Sequence, residues 1–346
     1  MWIHGGEFAR GSSSEYPGDT LAALNDVVVV TINYRTSAFG FLANMVSLLG
    51  NYGLWDQRLA IEWVKENIKD YGGNPKSITL FGESGGGLSI TCHLISLSTP
   101  RNLFQRAITQ SGSIMGLRVF SISSLPMYAM VADSTGCAVA DDAVACLKAL
   151  SVEELATASA AVNFFTTFDG EFLSPAVVDE LTSFVNNNYS PLTSTILKRL
   201  GEYDILSGWN SQEALFYTPI LKLLAGGDLS NGISEEVLKA TVNILLRGTF
   251  QESGELILDL TVRHYMNNPR PMISDGRSES DRRVEAFVDI MSKYFIKFII
   301  VQKVQCCRIA NIVKVKQLRD FLRLAPFTLK IAIQKCIMIT NYSFPN

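Results

Sequence analysis

Long apolar runs, histidine and paired-cysteine motifs are all scarce in this chain, and each scarcity excludes something. No stretch of 18 uncharged apolar residues occurs, and the nearest approach, Tyr294 to Val301, is interrupted by Lys297, so no membrane span is expected. The six cysteines, Cys92, Cys137, Cys146, Cys306, Cys307 and Cys336, are too few for a disulfide scaffold in 346 residues and show no CxxC spacing, so no metal site is predicted. The opening MWIHGGEFARG lacks the basic start and small-residue cleavage site of a signal peptide. Three histidines, His4, His93 and His264, leave little choice for chemistry that needs an imidazole.

What is present is globular. Apolar residues make up 47% and charged ones 18%, which excludes disorder and collagen-like repetition and allows one large domain or two smaller ones. The net charge of −3 is unevenly spread: from Lys297 onward nine Lys/Arg face one acid, Asp320, a balance of +8 that leaves −11 for residues 1–296. That tail also lacks glycine and follows no sustained helical or alternating period. The sequence therefore divides into a domain over residues 1–296 and a basic tail over 297–346. The tail's basic residues are interleaved with Ile, Leu, Val and Phe and carry no recognition motif, so no nucleic-acid partner is expected.

Val27 to Asn33, VVVVTIN, is a β-branched run that predicts a strand buried on both faces. A helix follows, with Leu59, Ile61, Trp63, Val64 and Ile68 as its apolar face and Gly72-Gly73 and Pro75 as its stop. Ser77 to Phe81 predicts a second strand, Gly85 onward a second helix, and Ala107 to Thr109 a third strand. Helical, Ala-rich sequence runs from about Met127 to Leu155, then a loop at Phe168-Asp169-Gly170. A strand at Tyr203 to Asn210 and mostly helical segments to about Ile296 complete the pattern. Alternating strands and helices predict an α/β fold with a mostly parallel sheet, its ligand site at the carboxyl ends of the strands.

Gly82-Glu83-Ser84-Gly85-Gly86 fits G-x-S-x-G between a predicted strand and a predicted helix. Small residues around the serine permit a sharp strained turn that lifts Oγ above the sheet and aims the following N–H at a reacting carbonyl. His4-Gly5-Gly6, after a short apolar start, has the setting of a segment whose backbone N–H groups complete an oxyanion hole. A hole donor is worth on the order of 3 kcal/mol of transition-state stabilisation, so the two motifs reinforce each other.

These blocks, with VVVVTINYRTSAFGFL, GNYGLWDQRLAIEWVKENIKDYGGNPKSITLFGESGGG, NLFQRAITQSGS, DGEFL and YDILSGWNSQE, fall in the order of one family. The sequence resembles the type-B carboxylesterases and cholinesterases of the α/β-hydrolase superfamily over residues 2 to about 220. The resemblance implies an α/β-hydrolase fold and a serine carboxylic-ester hydrolase acting through an acyl-enzyme on a small-molecule ester, without cofactor. Ser84 would be the nucleophile, Glu213 the acid of the triad, and Gly6, Glu7 and Gly85 the oxyanion donors. Cys137 and Cys146 resemble the family's short disulfide loop, and Glu83 a carboxylate often found before the serine. A secreted or extracellular location is implied, where the sequons Asn188-Tyr189-Ser190 and Asn341-Tyr342-Ser343 would gain meaning.

Three departures qualify this expectation. The family's N-terminal strands, which precede the WIHGG block, are missing from this chain. Glu7 stands where many members have a third glycine, and a carboxylate beside a developing oxyanion would oppose it. No histidine has the family's setting for the general base: His4 belongs to the oxyanion segment, His93 lies on the helix leading away from Ser84, and His264 lacks a glycine-rich context. Loss of that base costs roughly 10⁶-fold in turnover, so impaired hydrolysis is expected. The alternative is a non-catalytic adhesion or interaction protein of the same fold, which retention of Ser84 and its elbow argues against.

Overall fold

The computed structural model describes residues 1–44, 46–113, 120–121, 124–162, 164, 166–167, 169–185, 194–208, 210, 218–227, 232–246, 283–284 and 287. They form two compact units, one over Met1–Gly208 and one within Trp209–Ile300. The expected residues Glu213 and His264, the sequons and the basic tail lie outside the described residues.

The first unit is an α/β arrangement. Strands β1 (Trp2–Ile3), β2 (Thr79–Glu83), β3 (Arg106–Gln110) and β6 (Asp204–Gly208) build one wholly parallel sheet in the order β1-β2-β3-β6. The short pair β4 (Phe120–Ser121) and β5 (Thr166–Thr167) forms a second sheet. The helices of this unit are α1 (Asp19–Asn25), α2 (Ser37–Phe41), α3 (Tyr52–Asn67), α4 (Gly85–Ile95), α5 (Leu125–Ser134), α6 (Ala143–Ala149), α7 (Val152–Ser159), α8 (Pro175–Val185) and α9 (Thr195–Gly201).

Local chemistry sets several boundaries. Ser151 and Glu154 make a reciprocal capping box at the start of α7, satisfying two otherwise free N–H groups. Asp142 caps α6 through the Ala145 N–H, and Ser194 caps α9 through the Leu197 N–H. A 3₁₀ turn, Ile68–Tyr71, continues α3 and ends at Gly72 with φ +81. All eleven residues of α4 are buried, which places that helix at the centre: it packs on β1, β2 and β3 and against α3 and α9. Around it lies the core, with Ile3, Phe41, Leu54, Leu80, Ile90 and Phe104 among its members.

Two stretches differ from their sequence reading. Val27–Asn33 is not a strand buried on both faces: it touches the sheet through a single bridge, Thr31 to Trp2, outside edge strand β1. With a strand on one side only, Val27 and Val28 remain 47% and 42% exposed. In α3 the buried face is Leu54, Gln57, Ile61 and Val64, while Leu59 is 67% and Trp63 47% exposed. A step of three or four residues from Leu54 reaches each member of that face and passes over both.

The second unit contains α10 (Thr218–Leu224) and α11 (Glu235–Leu246), which pack together. A Glu235–Lys239 ion pair of 2.7 Å one turn apart supports α11. No helix among the described residues is long and apolar enough to cross a membrane.

Candidate active site

The carboxyl edge of the four-stranded sheet gathers the turns that follow β1, β2 and β3. Register fixes their alignment: Ile3 pairs with Gly82, Glu83 with Gln110, and Gln110 with Gly208. Ser84 follows β2 at once and caps α4 with φ +52 and ψ −120, a region that side chains other than glycine rarely occupy. Such strain costs about 1–3 kcal/mol and persists only where neighbours hold it. Here the Ser84 N–H donates to the Gln110 carbonyl at 2.9 Å, and the Ser84 carbonyl accepts from the Leu88 N–H at 2.9 Å.

The glycines around Ser84 are explained by contact. A β-carbon on Gly86 would fall 2.0 Å from the Ile3 carbonyl oxygen, and one on Gly82 would fall 2.6 Å from the same atom. Strand β1 therefore crosses the elbow too closely for any side chain at either position.

The segment after β1 folds back over the start of α4. Gly6, Glu7 and Phe8 have φ of +105, +58 and +60, a single left-handed turn closed by the Ala9 and Arg10 N–H groups on the Gly6 carbonyl. Phe8 anchors the turn in the core, its ring 4.5 Å from that of Phe41. A β-carbon on Gly85 would lie 3.5 Å from the Glu7 amide nitrogen and 3.6 Å from that of Phe8, so these amides meet the helix beside Ser84. The N–H groups of Gly6, Glu7 and Gly85 have no acceptor among the described residues. The Glu7 side chain is exposed, so solvent screens the carboxylate that the sequence set near the hole. Burial first, and then the Glu83 charge, raise the Tyr16 phenol above its ordinary pKa.

Neither described histidine serves Ser84. His93 is fully buried, and both its nitrogens are engaged, Nδ1 with Thr99 Oγ1 at 3.3 Å and Nε2 with Gln57 Oε1 at 3.2 Å. Ser89 gives its proton to the Gly85 carbonyl and accepts from Gln57 Nε2, which leaves Gln57 Oε1 to accept from an Nε2–H of His93. Burial, aided by the Arg58 charge, lowers the His93 pKa to about 3, so the ring is neutral. His4 Nδ1 is taken by the Gly5 carbonyl, and its Nε2 meets no partner among the described residues, Ser84 included.

The structure thus brings together Ser84, Gly85, Gly6 and Glu7, while Glu213 follows β6 in residues that are not described. It also adds participants that sequence reasoning missed. Gly112 lies against the Ser84 carbonyl, and the Phe8 amide stands beside that of Glu7. The QSGS block carried a signal for Gly112, and nothing local marked Phe8.

The carboxylesterase family model matches residues 1–313, most of the chain and past the expected boundary at residue 296. The chain belongs to the carboxylesterase family. This carboxylesterase-family chain is 38% identical to the pyrethroid hydrolase Ces2e of Rattus norvegicus over 277 residues, covering 78% of this chain and 44% of that protein. It is 31% identical to carboxylesterase 1C of Rattus norvegicus over 298 residues, covering 79% and 52%. It is also 44% identical to the bile salt-activated lipase of Bos taurus over 161 residues, covering 43% and 26%. The chain spans about half or less of the length of these relatives. Membership brings the α/β-hydrolase fold, in accord with the parallel sheet and its helices. Relatives named as hydrolases do not favour the adhesion alternative. Cys137 and Cys146 of this carboxylesterase-family chain form the disulfide that the resemblance implied.

Proposed function

We propose that this chain carries the nucleophile and oxyanion hole of a serine carboxylic-ester hydrolase. The observation that carries the reading is the strained Ser84 after β2, with amides of the Gly6–Glu7 turn and of Gly85 beside it that have no acceptor among the described residues. Ser84 Oγ attacks the ester carbonyl, and the developing oxyanion rests on the Gly6, Glu7 and Gly85 N–H groups. The Ser84 proton passes to a general base, for which His264 is the histidine left, and from it to the departing alcohol; water then hydrolyses the acyl-enzyme, giving up its proton to the same base. Glu213 is the proposed acid that would orient a base, by its place after β6 and the resemblance. Residues 1–296 make up the hydrolase part of this reading and residues 297–346 a basic tail, the first part of which the family match, running to residue 313, still covers. The Cys137–Cys146 disulfide supports an oxidising, secretory location.

The substrate class is a small carboxylic ester, and the test is hydrolysis of a short-chain p-nitrophenyl ester by the 346-residue chain and its Ser84→Ala variant. A rate well above that of the variant supports the reading. Equal rates in folded samples overturn it for this chain.

A further inference from the structure

Two buried side chains that take no part in the acyl transfer converge on the backbone from His4 to Gly6. The His4 ring is 0% exposed and stacks on the Tyr34 ring, centroids 4.3 Å apart and planes 17° from parallel. Tyr34 donates its hydroxyl proton to the His4 carbonyl at 2.8 Å, and His4 Nδ1 lies 2.8 Å from the Gly5 carbonyl oxygen. A carbonyl oxygen only accepts, so Nδ1 carries the imidazole proton. The other tautomer would oppose two lone pairs at that distance and bury an Nε2–H that has no acceptor among the described residues.

Each of these bonds fixes a peptide plane. In a trans peptide the carbonyl and the N–H of the next residue point to opposite sides. Holding the His4 carbonyl therefore sets the Gly5 N–H, and holding the Gly5 carbonyl turns the Gly6 N–H away from the imidazole. Two successive glycines, lacking β-carbons, would otherwise leave these planes free to rotate. Gly11 makes the arrangement possible: at φ +116, a β-carbon there would fall 2.4 Å from His4 Nδ1 and 2.6 Å from the Gly5 carbonyl oxygen. On its other side Gly5 abuts the elbow, where its own β-carbon would lie 3.2 Å from that of Ser84.

We propose that His4 and Tyr34 are positioning residues of the oxyanion hole: an Nδ1–H imidazole, clamped by Tyr34 and accommodated by Gly11, aims the Gly6 N–H at the oxyanion of an ester bound at Ser84. The proposal rests on the esterase reading above. It also gives a role to a buried histidine whose imidazole makes no hydrogen bond to Ser84 among the described residues.

Asparagine carries an amide N–H one bond beyond Cγ, where His4 has Nδ1, whereas glutamine carries it one bond further, nearer Nε2. With p-nitrophenyl acetate, His4→Asn is expected to keep kcat within about threefold of the wild type, while His4→Gln and Tyr34→Phe lower it about tenfold or more with KM within about twofold. Equal kcat in His4→Asn and His4→Gln, or a loss confined to KM, overturns the proposal. A second arm needs no turnover. Imidazole ¹⁵N spectra of the wild-type chain, correlated through bonds to the His4 β-carbon, are expected to show protonated Nδ1 and bare Nε2, and protonation at Nε2 alone overturns the proposal. In the same experiment the Gly6 amide signal should move in His4→Gln and Tyr34→Phe but stay near its wild-type position in His4→Asn. An unmoved signal in all three overturns the proposal. If hydrolysis does not depend on Ser84, the esterase reading fails while this second arm still decides the positioning role.

Discussion

A β-carbon on Gly112 would lie 2.1 Å from the carbonyl oxygen of Ser84 and 2.7 Å from the amide nitrogen of Leu88. The turn after β3 is pressed against the elbow after β2, backbone on backbone, where no flexible side chain can yield. Gly112→Ala must therefore displace Ser84 or its first helical turn. Urea unfolding should show a loss of about 2–4 kcal/mol. Ser84-dependent hydrolysis by the folded fraction should fall by roughly tenfold or more.

Helix α3 offers a paired comparison. Gln57→Leu deprives the His93 Nε2–H of its acceptor and Ser89 Oγ of its donor inside the core, and should destabilise by about 2–4 kcal/mol. Leu59→Ser, two residues on, changes a side chain that is 67% exposed and should stay within about 0.5 kcal/mol. Equal unfolding midpoints for the two variants would contradict this division of the helix.

That pair also shows what the sequence could and could not disclose. A binary apolar pattern places Leu59 and Trp63 in the core and has no place for a glutamine, yet Gln57 is buried because a histidine and a serine from α4 answer its amide. The Ser84 elbow was legible because its signature is local, glycines on both sides with a strand before and a helix after, even though the contact that demands Gly82 and Gly86 comes from Ile3. Tyr34 and Gly112 were not, since each is explained by a contact with a segment distant in sequence, and Gly11 was not because its contact with His4 and Gly5 depends on how the intervening turn folds. The four valines read as an interior strand because their composition carries no information on how many neighbours the strand has.

His93 gives the stability curve an acid limb. Unfolded, it takes up a proton near its ordinary pKa of 6.5; folded, burial and Arg58 hold it neutral down to about pH 3. Between those values the unfolded state binds more protons, so stability is intact above 6.5 and falls as pH drops towards 3. The slope attributable to this one group is at most about 1.4 kcal/mol per pH unit. Urea midpoints against pH for the wild type and His93→Gln should converge on acidification. Parallel curves would remove His93 as the cause.

The Cys137–Cys146 bridge ties the 3₁₀ turn at Cys137–Val139 to α6 across a short loop, and its reduction should lower stability by about 2.5 kcal/mol. Cys92 is fully buried, and burial raises its thiol above the ordinary pKa, so alkylation mapped by mass spectrometry should leave it unlabelled until the chain unfolds. Labelling of Cys92 in the native protein would contradict its place in the core.

The parallel sheet has a consequence for how the elbow comes into being. Trp2 pairs with Phe81 and Arg106 with Asp204, so completing the sheet demands loop closures of roughly 80 and 100 residues. The Ser111 N–H that seats the turn beside Ser84 waits for the Gly208 carbonyl, which is synthesised far later. The Ser84 elbow is thus braced by strands that leave the ribosome after it: the Gln110 carbonyl that takes its N–H comes with β3, and the neighbouring turn is seated only once β6 has docked. Completion of the elbow is a late event of synthesis, and pairing of strands so distant in sequence is intrinsically slow.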